Sequence, residues 1–284
     1  MIDQPHDPMT PHVPATHDER LWTPWRMRYV GGNAAEDDCI FCNRLRGNDD
    51  AHSLVLWRGD VSYVIMNLYP YNTGHVMLVP NEHADSPETA DPAALAEMAA
   101  LLPGLLRALR RVLGCHGFNV GLNVGAVAGA GIAAHLHQHV VPRWTGDANF
   151  MPILASTMVL PEVIPVTYAK LRAELEREFG GARALDVVIL DRGAGRVAVD
   201  GTGRLPAIAA DEGQPLWRTA ASLANASGDV EILGWAGPRR AGDGRGALAL
   251  RIDGDAPTGT TWRSAAECDL EPVARALELA GATA

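Results

Sequence analysis

"AAHLHQHVVPRW", residues 133–144, sets His135, His137 and His139 two apart in a run that otherwise has the apolar content of a buried strand. A strand rises about 3.3 Å per residue and alternates its side chains between faces. The stretch therefore predicts a strand over 135–142, with three imidazoles on one face about 7 Å apart and Leu136, Gln138 and Val140 on the other. All three rings would share one pocket. Such a set suits three chemistries. The rings can be separately hydrogen-bonded core groups. They can ligate a catalytic metal, because alternating strand histidines converge on zinc with help from elsewhere. Or one neutral imidazole can attack phosphorus while its neighbours and backbone N–H groups stabilise the charge on the oxygens. The preceding "NVGAVAGAGIAA" (123–134) has little side-chain bulk and lets backbone amides approach a ligand, which favours a phosphate cradle over a metal cage.

Upstream, "LYPYNTG" (68–74) joins two strand-like runs, Ser62–Asn67 and His75–Pro80, as a hairpin with a Gly-containing loop. Asp91 before Pro92 is a helix N-cap with proline at the first helical position, and Ala, Leu and Arg dominate as far as a stop at Gly114. Gly117–Asn123 is the next strand, so the order read from the residues is strand, strand, helix, strand, strand. After "TGDANFMP" (145–152), a charged amphipathic helix is expected over Thr167–Phe179, closed by Gly180-Gly181. Beyond 182 come short β-rich runs, Asp186–Leu190, Arg196–Val199, Val230–Gly234 and Ala247–Ile252, then a helix around Leu270–Leu279. Residues 1–20 lack an apolar pattern and read as a mobile leader. The expected division is 1–20, a domain over 21–181, and a smaller accessory mixed α/β domain over 182–284.

Among the 284 residues 47% are apolar, ample for a globular core. The most apolar run, Ala93–Leu113, is interrupted by Glu97, Pro103 and arginines near its end, so no membrane span is expected. A net charge of -10 argues against binding a nucleic-acid polymer, whose affinity rests on Lys and Arg replacing counterions. Any anionic ligand must meet a local positive site; Arg26, Arg28 and Arg143 are candidates, while Trp22 and Trp25 read as packing or dimer contacts. Four cysteines, Cys39, Cys42, Cys115 and Cys268, are too few for a disulfide framework, and a reducing cytoplasm is expected. Cys39-Ile-Phe-Cys42 alone reads equally as half a zinc site, a redox pair or two idle thiols, though the thioredoxin-like context of a redox pair is absent.

"HLHQHVV" (135–141) resembles the signature of the histidine triad (HIT) family, and so do its surroundings, "NLYPYNTGHVMLVPNEH" (67–83), "GFNVGLNVG" (117–125) and "PRWTGDANFMP" (142–152). The likeness covers about residues 21–180 and is nearest to the fragile-histidine-triad-like bacterial branch, which includes dinucleoside polyphosphate (Ap4A) phosphorylases and hydrolases. It implies an α+β fold with a five-stranded antiparallel sheet, a homodimer, and action on a nucleoside polyphosphate, foremost a diadenosine polyphosphate. It makes His137 the nucleophile that takes the nucleotidyl group, and His139 a donor to the phosphate oxygens. Asn67 would contact the ribose and Asn123 the nucleotide near its phosphates. Gly131 stands where relatives often carry Gln or Ser facing the bridging phosphate. That departure leaves open whether water or phosphate is the second acceptor, and motivates a competing reading as a nucleotide sensor with little turnover. The resemblance also implies a structural zinc on Cys39, Cys42, His83 and His135, so that His135 anchors while the other two histidines do chemistry. A divalent metal would accompany the nucleotide. His75 in the "GH" step reads as structural, and Asp147 and Asn149 as turn-forming. The region beyond 182 faintly resembles a Nudix fold but lacks the glutamate-rich helix that would hold magnesium, so it is expected to be noncatalytic.

Overall fold

The computed structural model describes residues 39–147, 162–210, 213–224, 229–241 and 244–281. Residues 36–145 and 160–284 form one compact unit; the other, 1–35 with 146–159, falls almost wholly outside the described residues. The expected leader, Trp22, Trp25, Arg26, Arg28 and Asn149 lie outside them too.

Five strands, β1 (Val55–Arg58), β2 (Ser62–Met66), β3 (Val76–Pro80), β4 (Gly117–Leu122) and β5 (Gln138–Arg143), make an antiparallel sheet of order β1-β2-β3-β5-β4. The hairpin is present: Asn67 N–H donates to His75 O, and Gly74 takes a positive φ of 75° that a glycine adopts without strain. β1 is a strand that the residue pattern did not show; its four residues are too few for a period to register.

Two short helices, α1 (Ile40–Arg46) and α2 (Asp50–Ser53), precede β1. The long helix α3 (Pro92–Leu113) starts and stops as expected, with Asp91 accepting from Ala93 N–H and Gly114 in the left-handed conformation. It has the length and hydropathy of a membrane span, yet Met98, Leu105, Ala108, Leu109 and Val112 pack it on the sheet. Glu97, which interrupts its apolar run, accepts from Asp60 N–H, Val61 N–H and the Ser62 hydroxyl, closing the β1–β2 turn. Leu56, Val64, Met66, Val76, Leu78 and Val140 form the sheet face under α3. Val55, Tyr63, Ile65, Met77 and Val79 form the opposite face, against Phe41 of α1.

Helix α4 (Ile164–Glu178) begins three residues earlier than expected, and its cap is Phe179 in right-handed geometry, with Gly181 in the left-handed region only afterwards. It is buried nearly all round, Tyr168, Leu171, Arg172, Glu174 and Leu175 included, because it packs on α3 and β1 and also on the second sheet. That sheet, β11-β7-β6-β10-β9 with β8 beside β6, is mixed: β6 (Ala184–Asp191) and β10 (Ala247–Ile252) are parallel, and β7 (Arg196–Val199), β8 (Ala207–Ala209), β9 (Val230–Trp235) and β11 (Thr261–Ser264) pair antiparallel. Helix α5 (Leu216–Ala224) covers one face with α4, and α6 (Glu271–Leu279) the other. Residues before and after 182 thus belong to different sheets but to one continuous core, in which Leu171 and Leu175 join Leu250 and Trp235.

Candidate active site and metal centre

The strand carrying the triad starts at Gln138, not at His135. Pairing with β3 runs only as far as Leu78 opposite Gln138. Upstream the chain bends away, and Leu136 N–H donates to Ala84 O at 2.6 Å. The expectation of three rings in one pocket is therefore corrected. His137 and His139 meet edge to face with ring centroids 4.8 Å apart, whereas His135 turns toward α1.

The hydrogen bonds assign each ring a tautomer, because a carbonyl only accepts and a backbone N–H only donates. His135 Nε2 lies 3.0 Å from Pro80 O and so carries the proton. Its Nδ1 then offers a lone pair to the sulfurs, 3.3 Å from Cys39 Sγ and 3.6 Å from Cys42 Sγ. His83 Nδ1 is 3.4 Å from Cys42 Sγ. One ligand atom from each of Cys39, Cys42, His83 and His135 falls within 4.8 Å of the others, so these four residues form a candidate metal site.

His137 Nδ1 is 2.8 Å from His135 O and donates to it, leaving Nε2 with its lone pair. The ring is only 5% exposed, and burial lowers its pKa. It rests on Phe41, whose ring touches both His137 (5.0 Å) and His135 (5.4 Å). The imidazole is thus neutral, oriented and nucleophilic at one nitrogen.

His139 is set by His75. Tyr71 N–H donates to His75 Nδ1 at 3.1 Å, and Asn67 Nδ2 lies 3.2 Å from the same atom. His75 must then carry its proton on Nε2, which is 3.0 Å from His139 Nδ1. His139 accepts there, so its own Nε2 holds a proton that it can donate to an oxygen. Burial first, then the neighbouring His139 and His137, pushes the His75 pKa down to about 3. Sequence reasoning missed this role. Its signal was the pairing of Met77 with His139, which puts His75 on the same face two residues earlier, a contact between strands far apart in the chain.

Asn67 is occupied in part by the turn: its Oδ1 accepts from Tyr69 N–H. Asn123 follows β4 directly, one residue beyond Leu122, which pairs with Gln138. Gly131 lies exposed in the bend before His135. Arg143 shares the face of His139 but lies four residues, about 13 Å, along β5 and donates to Asn119 Oδ1 at 2.7 Å.

A HIT domain model matches residues 48–146. The chain is 39% identical over 167 residues to the AP-4-A phosphorylase of Mycobacterium tuberculosis, an alignment spanning 56% of this chain and 86% of that protein. This chain belongs to the HIT family. Adenylylsulfatase HINT3 of Arabidopsis thaliana is 31% identical to this HIT protein over 118 residues, 42% of this chain and 58% of the relative. Among solved structures, a zinc-bound histidine triad family protein of Mycobacterium smegmatis aligns with a TM-score of 0.42 at 26% identity, over 51% of this chain and 99% of that one.

Proposed function

We propose that this HIT protein splits a dinucleoside polyphosphate, with diadenosine tetraphosphate as the expected substrate, through a nucleotidyl group carried on His137. The observation that carries the reading is the His137 ring itself, held by its Nδ1–H on His135 O so that Nε2 is free to attack. Nε2 bonds to the α-phosphorus as the bond from that phosphorus to the bridging oxygen breaks. The leaving nucleotide departs with the oxygen and its electron pair, and His139, whose ring lies 4.8 Å from that of His137, gives its Nε2 proton to neutralise the developing charge. A second acceptor then attacks phosphorus and returns the imidazole: phosphate gives ADP beside the first-released ATP, water gives AMP. The 39% identity to a protein named for AP-4-A phosphorolysis supports phosphate as that acceptor. The cradle is drawn from the largely exposed 125–131 stretch, using amides other than those of Ala128 and Gly129, which donate to Gly125 O and Ala126 O within its turn; Asn67 and Asn123 contact the nucleotide, and Arg143 adds positive charge farther along β5. A divalent cation accompanies the polyphosphate.

Zinc is the ion proposed for Cys39, Cys42, His83 and His135. Two soft thiolates and two imidazoles make a closed tetrahedral set, which fixes the strand entry and opens no coordination position. Two cysteines kept out of any disulfide for that role fit a reducing cytoplasm. A homodimer is proposed at β4, which ends the sheet order and leaves Val120 (41%) and Leu122 (38%) exposed; a monomer mass by sedimentation at micromolar concentration would remove it.

Incubation with diadenosine tetraphosphate should yield ADP and ATP when phosphate is present, and His137→Asn should abolish both. Persistence of turnover in that variant rules out the covalent route. No product from the wild type favours the sensor reading that the bare Gly131 motivates.

A further inference from the structure

Helix α1 carries Cys39 at its N-cap, Phe41 beneath His137, and Cys42, yet it has only seven residues and cannot hold its place alone. Its far end is held by Arg58, whose partner Asp50 and the adjacent Asp49 are bonded in turn by groups from beyond residue 182. Asp49 caps α2 through Oδ1, accepting from Ala51 N–H at 3.1 Å and His52 N–H at 3.3 Å. Its Oδ2 accepts from Arg275 of α6 at 2.9 Å and from Arg239 at 3.3 Å. The fully buried Asp50 donates its N–H to Arg239 O at 2.8 Å and accepts Ala241 N–H at 2.9 Å. The same carboxylate accepts from Arg58 Nη2 at 2.7 Å. Arg58 in turn donates to Leu45 O at 2.8 Å and Gly47 O at 3.3 Å, carbonyls at the C-terminal end of α1 that have no donor of their own within the helix.

We infer that Arg239 and Arg275 are positioning residues for the catalytic histidine, acting through Asp49, Asp50 and Arg58 on α1 and so on Phe41. The region after 182 is, on this view, a brace for the active site, and its catalytic consequence rests on the proposed reaction. The network is charge-assisted and centred on the fully buried Asp50, with Arg239 at its wet rim, so its inner part resists deformation. A displacement of the nucleophile by about 1 Å is enough to slow an in-line displacement strongly.

The test uses full-length Arg239→Gln, Arg275→Gln and Arg275→Lys proteins, with amide hydrogen exchange and steady-state kinetics on diadenosine tetraphosphate. Arg239, 60% exposed in its side chain, is the variant least able to disturb folding. Arg275→Gln should speed exchange over residues 40–54 and leave α3 unchanged. Its kcat should fall about three- to tenfold at nearly constant KM, with Arg239→Gln showing the same pattern more weakly and Arg275→Lys recovering most of the loss. Unchanged exchange over 40–54, acceleration spread equally through α3, or wild-type kcat despite faster exchange would each overturn the inference. If the wild type makes no product, the proposed reaction falls, while exchange still decides whether the brace exists.

Discussion

Neutral imidazole is the working state of His75, and burial keeps it so. An unfolded chain protonates that ring near pH 6.5, whereas the folded ring stays neutral to about pH 3. Between those values the unfolded state binds the extra proton, so stability must fall as pH falls, by about 1.4 kcal/mol per pH unit from this residue alone. Urea unfolding at pH 6, 5 and 4, inside that window, should approach that slope, and a level profile would contradict the buried neutral ring. Replacement His75→Phe keeps the bulk and removes the Nε2–H that sets His139. Its kcat should drop about ten- to hundredfold with KM little changed, since proton donation in the transition state is what is lost. An undiminished kcat would mean that His139 needs no fixed tautomer. Of the site residues, spacing made the residue types legible but not their roles: the C-x₂-C pair was ambiguous by itself and joined a metal set only through the family resemblance, and the alternation put in one pocket three rings of which His135 turns away. His75 and Phe41 were not legible as site residues, because each acts through a contact whose partner lies far along the chain.

At the scale of elements, helices with complete local signals stand where the residues put them. α3 has its Asp-Pro start and Gly stop, and these act within a turn of the helix end. β5 does not start where its alternation begins, because the end of its ladder with β3 releases the chain to Ala84. That bend is what sends His135 to α1. Cys39 and Cys42, three apart across the first turn of α1, present both sulfurs to it. Protein purified without chelator should carry about one zinc per chain by elemental analysis. The Cys39→Ser, Cys42→Ser variant should lose it and melt about 5 °C lower or more. Protein that is free of zinc and melts no lower in the double variant would remove the metal from the account.

At the scale of the whole molecule, α4 sits between the two sheets, and its buried charges are the consequence. Arg172, with no exposed surface, donates to Val55 O at 3.0 Å on one side, pairs with Glu176 at 3.1 Å, and lies 5.3 Å from the Trp235 ring on the other. Ending the chain at 181 would strip the second sheet from this helix and expose that guanidinium together with Leu171 and Leu175. One cooperative thermal transition is therefore expected for the full chain, with calorimetric and van't Hoff enthalpies nearly equal. Two well-separated transitions would instead make residues 182–284 an independent domain.

The sequence alone determined the sheet hairpin, the long helix and the residue types of the site, since these rest on side-chain alternation, helix caps and ligand spacing within a few residues. Only the tertiary structure decided which nitrogen of each histidine carries its proton, and that groups from beyond residue 182 bond to Asp49 and Asp50 beside the helix under His137. The physical reason is distance along the chain: an imidazole's tautomer and a buried carboxylate's partners are set by hydrogen bonds between segments that no local pattern connects.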